Sequence, residues 1–121
     1  MKTALLAWTM YWSSVTGIRS PQVVFEPLPG RITGRSSLEA WIGARGLVAI
    51  PQISYDVSKK ADPKWLALHE VCHHRMQHVM MRRDEISNSK MEQEAETCVR
   101  VYISRLARRE TGTKHGQRTR D

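Results

Sequence analysis

Residues 69–73 read His69-Glu70-Val71-Cys72-His73, an H-E-x-x-H pattern, and the organisation of the chain follows from where this stretch sits. On a helix, positions four apart share a face and lie about 6 Å apart along the axis. His69 and His73 can then aim both imidazoles at one ion. Glu70 is rotated by ~100° from His69, so it stands beside the ion rather than on it. Two neutral nitrogen donors, an open position for water and a carboxylate to take its proton make up a hydrolytic zinc site.

Working outward, the stretch lies in a well-marked helix. Asp62 is an N-cap residue and Pro63 falls at the first helical position. Trp65, Leu68, Cys72, Met76 and Val79 form one apolar stripe, with His69 and His73 at its edge. Arg82-Arg83 suit the negative end of the helix dipole. Upstream, Met1, Leu5, Trp8, Trp12 and Val15 recur at helical spacing over Lys2–Val15. This stretch has a faint likeness to a signal peptide, but a core-packed amphipathic helix explains its tryptophans better. Gln22–Glu26 reads as a strand between prolines. Arg31–Ser37 reads as a polar turn, Ser37–Gly43 as a second strand, and Ala44-Arg45-Gly46 as a tight turn. Leu47–Pro51 reads as a third strand, placed at a sheet edge because proline lacks an N–H. Ile53–Ala61 reads as a connecting loop. Downstream, Asp84–Ser89 is polar, and a last helix starts near Ser87 or Ser89 with Ala95, Val99, Tyr102 and Leu106 on its apolar face.

The fold class is therefore α+β: an N-terminal helix, a small twisted sheet of about three strands, the H-E-x-x-H helix and a C-terminal helix. With 121 residues, 40% hydrophobic and 26% charged, the chain makes one domain over residues 1–110. The rest, 111–121, has no apolar residue and reads as a basic disordered tail. No run reaches the ~18 apolar residues of a membrane span. The two cysteines, Cys72 and Cys98, are too few for a disulfide framework. Read as small buried thiols, they point to a reducing, cytoplasmic setting. A monomer is expected.

Catalytic zinc commonly has three protein ligands, so one more is needed. His74 lies on the wrong side of the helix, His78 half a turn round, and His115 in the tail. The last helix carries Glu92, Glu94 and Glu96. Glu92 and Glu96 share a face next to Ala95 and Val99, while Glu94 lies ~200° away, toward solvent. An inward carboxylate pair calls for a positive partner.

HEVCH followed nineteen residues later by Glu92-Gln93-Glu94-Ala95-Glu96 resembles the gluzincin branch of zinc metallopeptidases, nearest in layout to minigluzincins and ImmA/IrrE-like peptidases. The likeness covers roughly Leu47–Tyr102 and rests on a handful of residues. It implies a zincin-like fold, with His69, His73 and Glu92 as zinc ligands and Glu70 as general base. It also places Glu96 where the family has an Asp or Asn that orients a ligand histidine; the longer side chain is a departure. SprT-like proteins are similar at HEVCH but use a third downstream histidine, and none is well placed here.

The implied function is a zinc metalloendopeptidase acting on protein or peptide substrates through a zinc-activated water. Tyr102, Tyr55, His74 and Arg100 are the alternatives for a donor to the scissile carbonyl. Strand Leu47–Ile50 would take up substrate by strand addition. The bland alternatives are a zinc-stapled inert domain or no metal at all. A different class draws on charge. The chain is +7 overall, and residues 100–121 hold seven basic against two acidic residues, which suits nucleic-acid contact as well as a solvated helix face. Salt-dependent retention on DNA that vanishes after truncation at Glu110 would support the former; no shift at low salt would remove it.

Overall fold

A computed structural model describes residues 1–76 and 88–120, with the side chains of all of these but 40, 41, 88 and 110–120. Its element order is α1 (Lys2–Thr16), β1 (Gln22–Phe25), β2 (Gly34–Gly43), β3 (Gly46–Tyr55), α2 (Pro63–Arg75) and α3 (Asn88–Arg120). The class is α+β, as expected. Val79, Arg82 and Arg83 of the expected α2 stripe and end, His78, and most of the 84–89 connection lie outside the described residues.

Helix α1 ends where Gly17 adopts a left-handed conformation (φ 77°), which glycine enters without a Cβ penalty. Its buried face differs from the expected stripe. Leu5 and Trp12 are buried as expected, but Thr9, Ser13 and Thr16 are buried with them, and Met1 is exposed. The hydroxyls tolerate burial because each donates to the carbonyl four residues back: Thr9 to Leu5, Ser13 to Thr9, Thr16 to Trp12. Thr9 also bonds the Tyr55 hydroxyl at 2.8 Å. Trp12 Nε1 donates to the Lys64 carbonyl at 3.0 Å, tying α1 to the first turn of α2.

The sheet corrects the expected strand map. Its order is β1-β3-β2, with β1 parallel and β2 antiparallel to β3. The third strand lies between the other two, but only its extension over Gln52–Tyr55, through part of the expected loop, has neighbours on both sides; Leu47–Pro51 pairs with β2 alone and has an open edge, as expected. Pro51 escapes the cost of a central position because the β1 pairing begins one residue later, at Gln22↔Gln52; at Pro51 the strand has a neighbour on one side only. The edge facing the helices' site is β2. It starts at Gly34, inside the expected turn, since Gly34–Ser37 pair with Tyr55–Gln52. Cross-strand pairing supplies hydrogen bonds that a polar local sequence does not advertise.

Ile53 and Tyr55 on the sheet, Leu5 and Trp12 on α1, Leu68, Val71 and Cys72 on α2, and Ala95 and Val99 on α3 form the core. Tyr102 and Leu106 pack against it as expected. Trp65, expected on the buried stripe, is half-exposed, and Ala67 takes a core place. Helix α2 ends at Arg75 rather than near Arg83. The backbone of helix α3 runs through Arg120, over residues assigned above to a basic tail. Among the described residues no helix is long and apolar enough to cross a membrane.

The cysteines also differ from expectation. Cys72 and Cys98 form a disulfide with Cα atoms 5.9 Å apart, so the inference to a reducing compartment loses its basis. Sequence could not pair them because their contact depends on how α3 packs on α2. The bridge closes a 26-residue separation, worth about 3.5 kcal/mol of chain entropy. Urea unfolding of Cys98→Ser should show a loss of that order, with the native secondary structure retained below the midpoint.

Candidate metal centre

Asp62 caps α2 as expected, its Oδ1 accepting from the Lys64 N–H at 3.0 Å, with Pro63 in the first turn. The helix then uses three sides. One side carries Ala67, Leu68, Val71 and Cys72 into the core. A second presents His69 and His73, whose rings meet edge-on with centroids 4.8 Å apart. A third faces the sheet. There Glu70 is buried beneath β2, and His74 Nε2 donates to the Gln52 carbonyl at 2.9 Å. Burial pushes the His74 imidazole below its ordinary range, partly opposed by that carbonyl.

Helix α3 brings in the third group. Glu92 Oε2 lies 3.2 Å from His69 Nε2, and its Oε1 lies 3.3 Å from His73 Nε2. The two Nε2 atoms are 3.2 Å apart. Ligand atoms of the three residues all lie within 4.8 Å of one another. A tetrahedral ion with bonds of 2.0–2.1 Å has donor–donor edges of about 3.3–3.4 Å. The nitrogen–nitrogen spacing is close to that figure, and each histidine meets a different Glu92 oxygen at a similar distance, so the three residues are compatible with a zinc-sized ion. The side chain of Glu92 is 61% exposed, so it is not inward-pointing as expected; it reaches the histidines from the rim. Glu96, expected to steady a ligand histidine, pairs instead with Arg100 at 3.6 Å on the helix surface. Its extra methylene and exposure allow that local partner. Glu94, expected in solvent, is half-buried.

The disulfide sits at the join. Cys72 precedes His73, and Cys98 lies six residues past Glu92. It therefore clamps the helix bearing two donors to the helix bearing the third.

The site opens into a cleft of about 540 Å³, walled by Arg31–Ser36 on one side and by Met91 and Glu92 on the other. None of the four proposed carbonyl donors lines it. Tyr55 is buried and bonded to Thr9, and its phenol is pushed well above the usual range, first by burial and then by the charge of Glu70. His74 is turned to the sheet, Arg100 is paired with Glu96, and Tyr102 stacks under Arg105. Arg31 and Arg35 do line the cleft. Nothing local marks them, because the Arg31–Ser37 stretch has the polar, glycine-containing composition of a turn. Arg35 is also held by Glu26 at 3.1 Å.

Glu70 is pushed above the ordinary carboxylate range by burial; the charge of His69 and the Ser36 hydroxyl oppose this, and Glu92 adds to it. Gly34 is the closest neighbour from the sheet. A Cβ there would meet Glu70 Cγ and Oε2 and Leu66 Cδ1, each at 3.0 Å. The glycine is needed for space, not for backbone conformation.

The Arg31–Thr33 wall is pinned from behind. Asp56 accepts from the Leu28 N–H and from the Ser58 N–H and hydroxyl. Lys59 Nζ donates to the Leu28 and Ile32 carbonyls. These bonds, the Ser58 hydroxyl foremost, hold the Asp56 carboxyl well below the usual range. A depressed carboxyl stabilises the fold above its unfolded value of about 3.9, and that contribution fades as pH falls below it. Thermal melts of Asp56→Asn against wild type should therefore differ most at pH 7, with the gap narrowing steadily as pH is lowered below about 4.

Comparison with protein-family models, curated proteins and solved structures finds no match to the chain.

Proposed function

We propose that the chain is a zinc-dependent metallopeptidase with a zincin-like, gluzincin-type site, in which His69, His73 and Glu92 hold the ion and Glu70 is the general base. The observation that carries this reading is that His69, His73 and Glu92 bring one ligand atom each within 4.8 Å of one another beside a buried carboxylate in the same cleft. A zinc ion held there supplies Lewis acidity, which makes water nucleophilic at neutral pH and polarises the scissile carbonyl.

The chain's own groups do the rest. Glu70 takes the proton of the attacking water and returns it to the leaving amine. Its burial raises its proton affinity toward what that task needs. Arg31 and Arg35 supply the positive charge of the cleft wall. The substrate backbone is taken up along the outer edge of β2 beside Gly34–Ser36, where a strand has unpaired N–H and C=O groups. This edge takes the place of Leu47–Ile50, whose β1-side edge is also open but whose residues do not line the cleft.

The reading is tested with purified chain and a peptide library. A chelator should abolish cleavage, and one equivalent of zinc should restore it. A protein that binds one zinc and cleaves nothing would instead be the inert, zinc-stapled domain.

A further inference from the structure

From the contact between β2 and α2, we infer that Ser36 is the positioning residue of Glu70: its hydroxyl fixes the direction in which the carboxylate faces the cleft. The inference rests on the metallopeptidase reading for its catalytic consequence, but the contact itself is independent of it.

In the antiparallel register Ser36 pairs with Ile53, and Gly34 with Tyr55. Directly paired residues share a sheet face, and Ile53 and Tyr55 are core residues. Gly34 and Ser36 thus both face the helices. Ser36 Oγ lies 2.9 Å from Glu70 Oε1 and 2.9 Å from the Glu70 carbonyl oxygen. One hydroxyl has one proton. The carbonyl is inside α2 and already has the helix ladder, so the carboxylate oxygen, which no ladder bond engages, is the freer acceptor. The other oxygen, Oε2, lies over Gly34, where a Cβ would stand 3.0 Å away. One carboxylate oxygen is therefore tethered and the other is packed against bare backbone.

A carboxylate with several rotatable bonds gains little from being near a reaction unless its orientation is held. A tie that only joined helix to strand would need neither the carboxylate nor the glycine. The carbonyl bond alone would serve.

The test compares zinc-loaded wild type, Ser36→Ala and Ser36→Thr by crystal structure, zinc titration, thermal melting and steady-state peptide cleavage. In Ser36→Ala the Glu70 carboxylate is expected to turn away from its wild-type direction. Zinc affinity and KM stay within about threefold, and kcat falls about 10- to 100-fold, the worth of one hydrogen bond to a charged group. Ser36→Thr restores both the orientation and kcat, since it keeps the hydroxyl. If Glu70 keeps its place in Ser36→Ala, the inference is overturned. It is likewise overturned if kcat falls only together with thermal stability and Thr does not rescue it. If zinc-loaded wild type cleaves no peptide, the metallopeptidase reading fails, and the Glu70 orientation in the variant structures still decides the role of Ser36.

Discussion

Glu70→Gln is expected to bind zinc with wild-type affinity and to lose peptide cleavage by roughly 10²- to 10⁴-fold, the usual worth of a positioned general base. The amide has the shape of the carboxylate and still offers Ser36 an oxygen at the Oε1 position, which is 2.9 Å from the hydroxyl. It cannot take a proton from water. Zinc affinity is spared because Glu70 is not among the three converging donors. Stability should not suffer either. A buried carboxylate whose proton affinity is raised by desolvation is costly to keep charged, and a neutral amide removes that cost. The thermal midpoint of metal-free Glu70→Gln should therefore equal or exceed that of wild type. Zinc titration by calorimetry and kcat/KM on one peptide make the comparison. Cleavage at the wild-type rate would exclude Glu70 as the base.

Glu92→Ala has the opposite signature. Zinc binding should weaken by more than the roughly 10- to 100-fold that loss of an outer-shell partner costs, because one of three direct donors is gone. In the absence of metal, the variant should melt like wild type. Glu92 is exposed, with 61% of its side chain in solvent, and makes no part of the core. The two effects separate cleanly in thermal melts. Zinc at 100 times its dissociation constant stabilises a folded protein by about 2.7 kcal/mol, so wild type should show a clear upward shift with zinc. The variant should show little at the same concentration. Full zinc occupancy in Glu92→Ala would remove Glu92 from the ligand set and leave its contacts with His69 and His73 as ion pairs.

Much of the candidate site was legible from local pattern. His69, Glu70 and His73 follow from helical spacing, and the Asp62-Pro63 start of α2 follows from capping chemistry. Glu92 is singled out in the sequence only by a resemblance; in the structure its carboxylate stands against both histidines, from the exposed rim. The errors share one physical source. The Arg31–Ser37 stretch looked like a turn because nothing in it signals a strand locally; its first pairing partners, Tyr55 and Ser54, lie some twenty residues on. Glu96 was read as inward from its place on the helix, but an exposed carboxylate finds its nearest cation, here Arg100 one turn away.

The sequence by itself determined an α+β chain in which one capped helix offers two imidazoles on one side and a glutamate on the next, since helical periodicity is a local property. Only the tertiary structure decided the strand order, which puts β2 rather than β3 beside the cleft. It also decided that Cys72 and Cys98 join and that Ser36 and Gly34 close over Glu70. Each of these is a contact between residues at least 26 positions apart or a choice of neighbour among strands. Such contacts are set by how whole elements bury their apolar faces together, and no short window of residues encodes that.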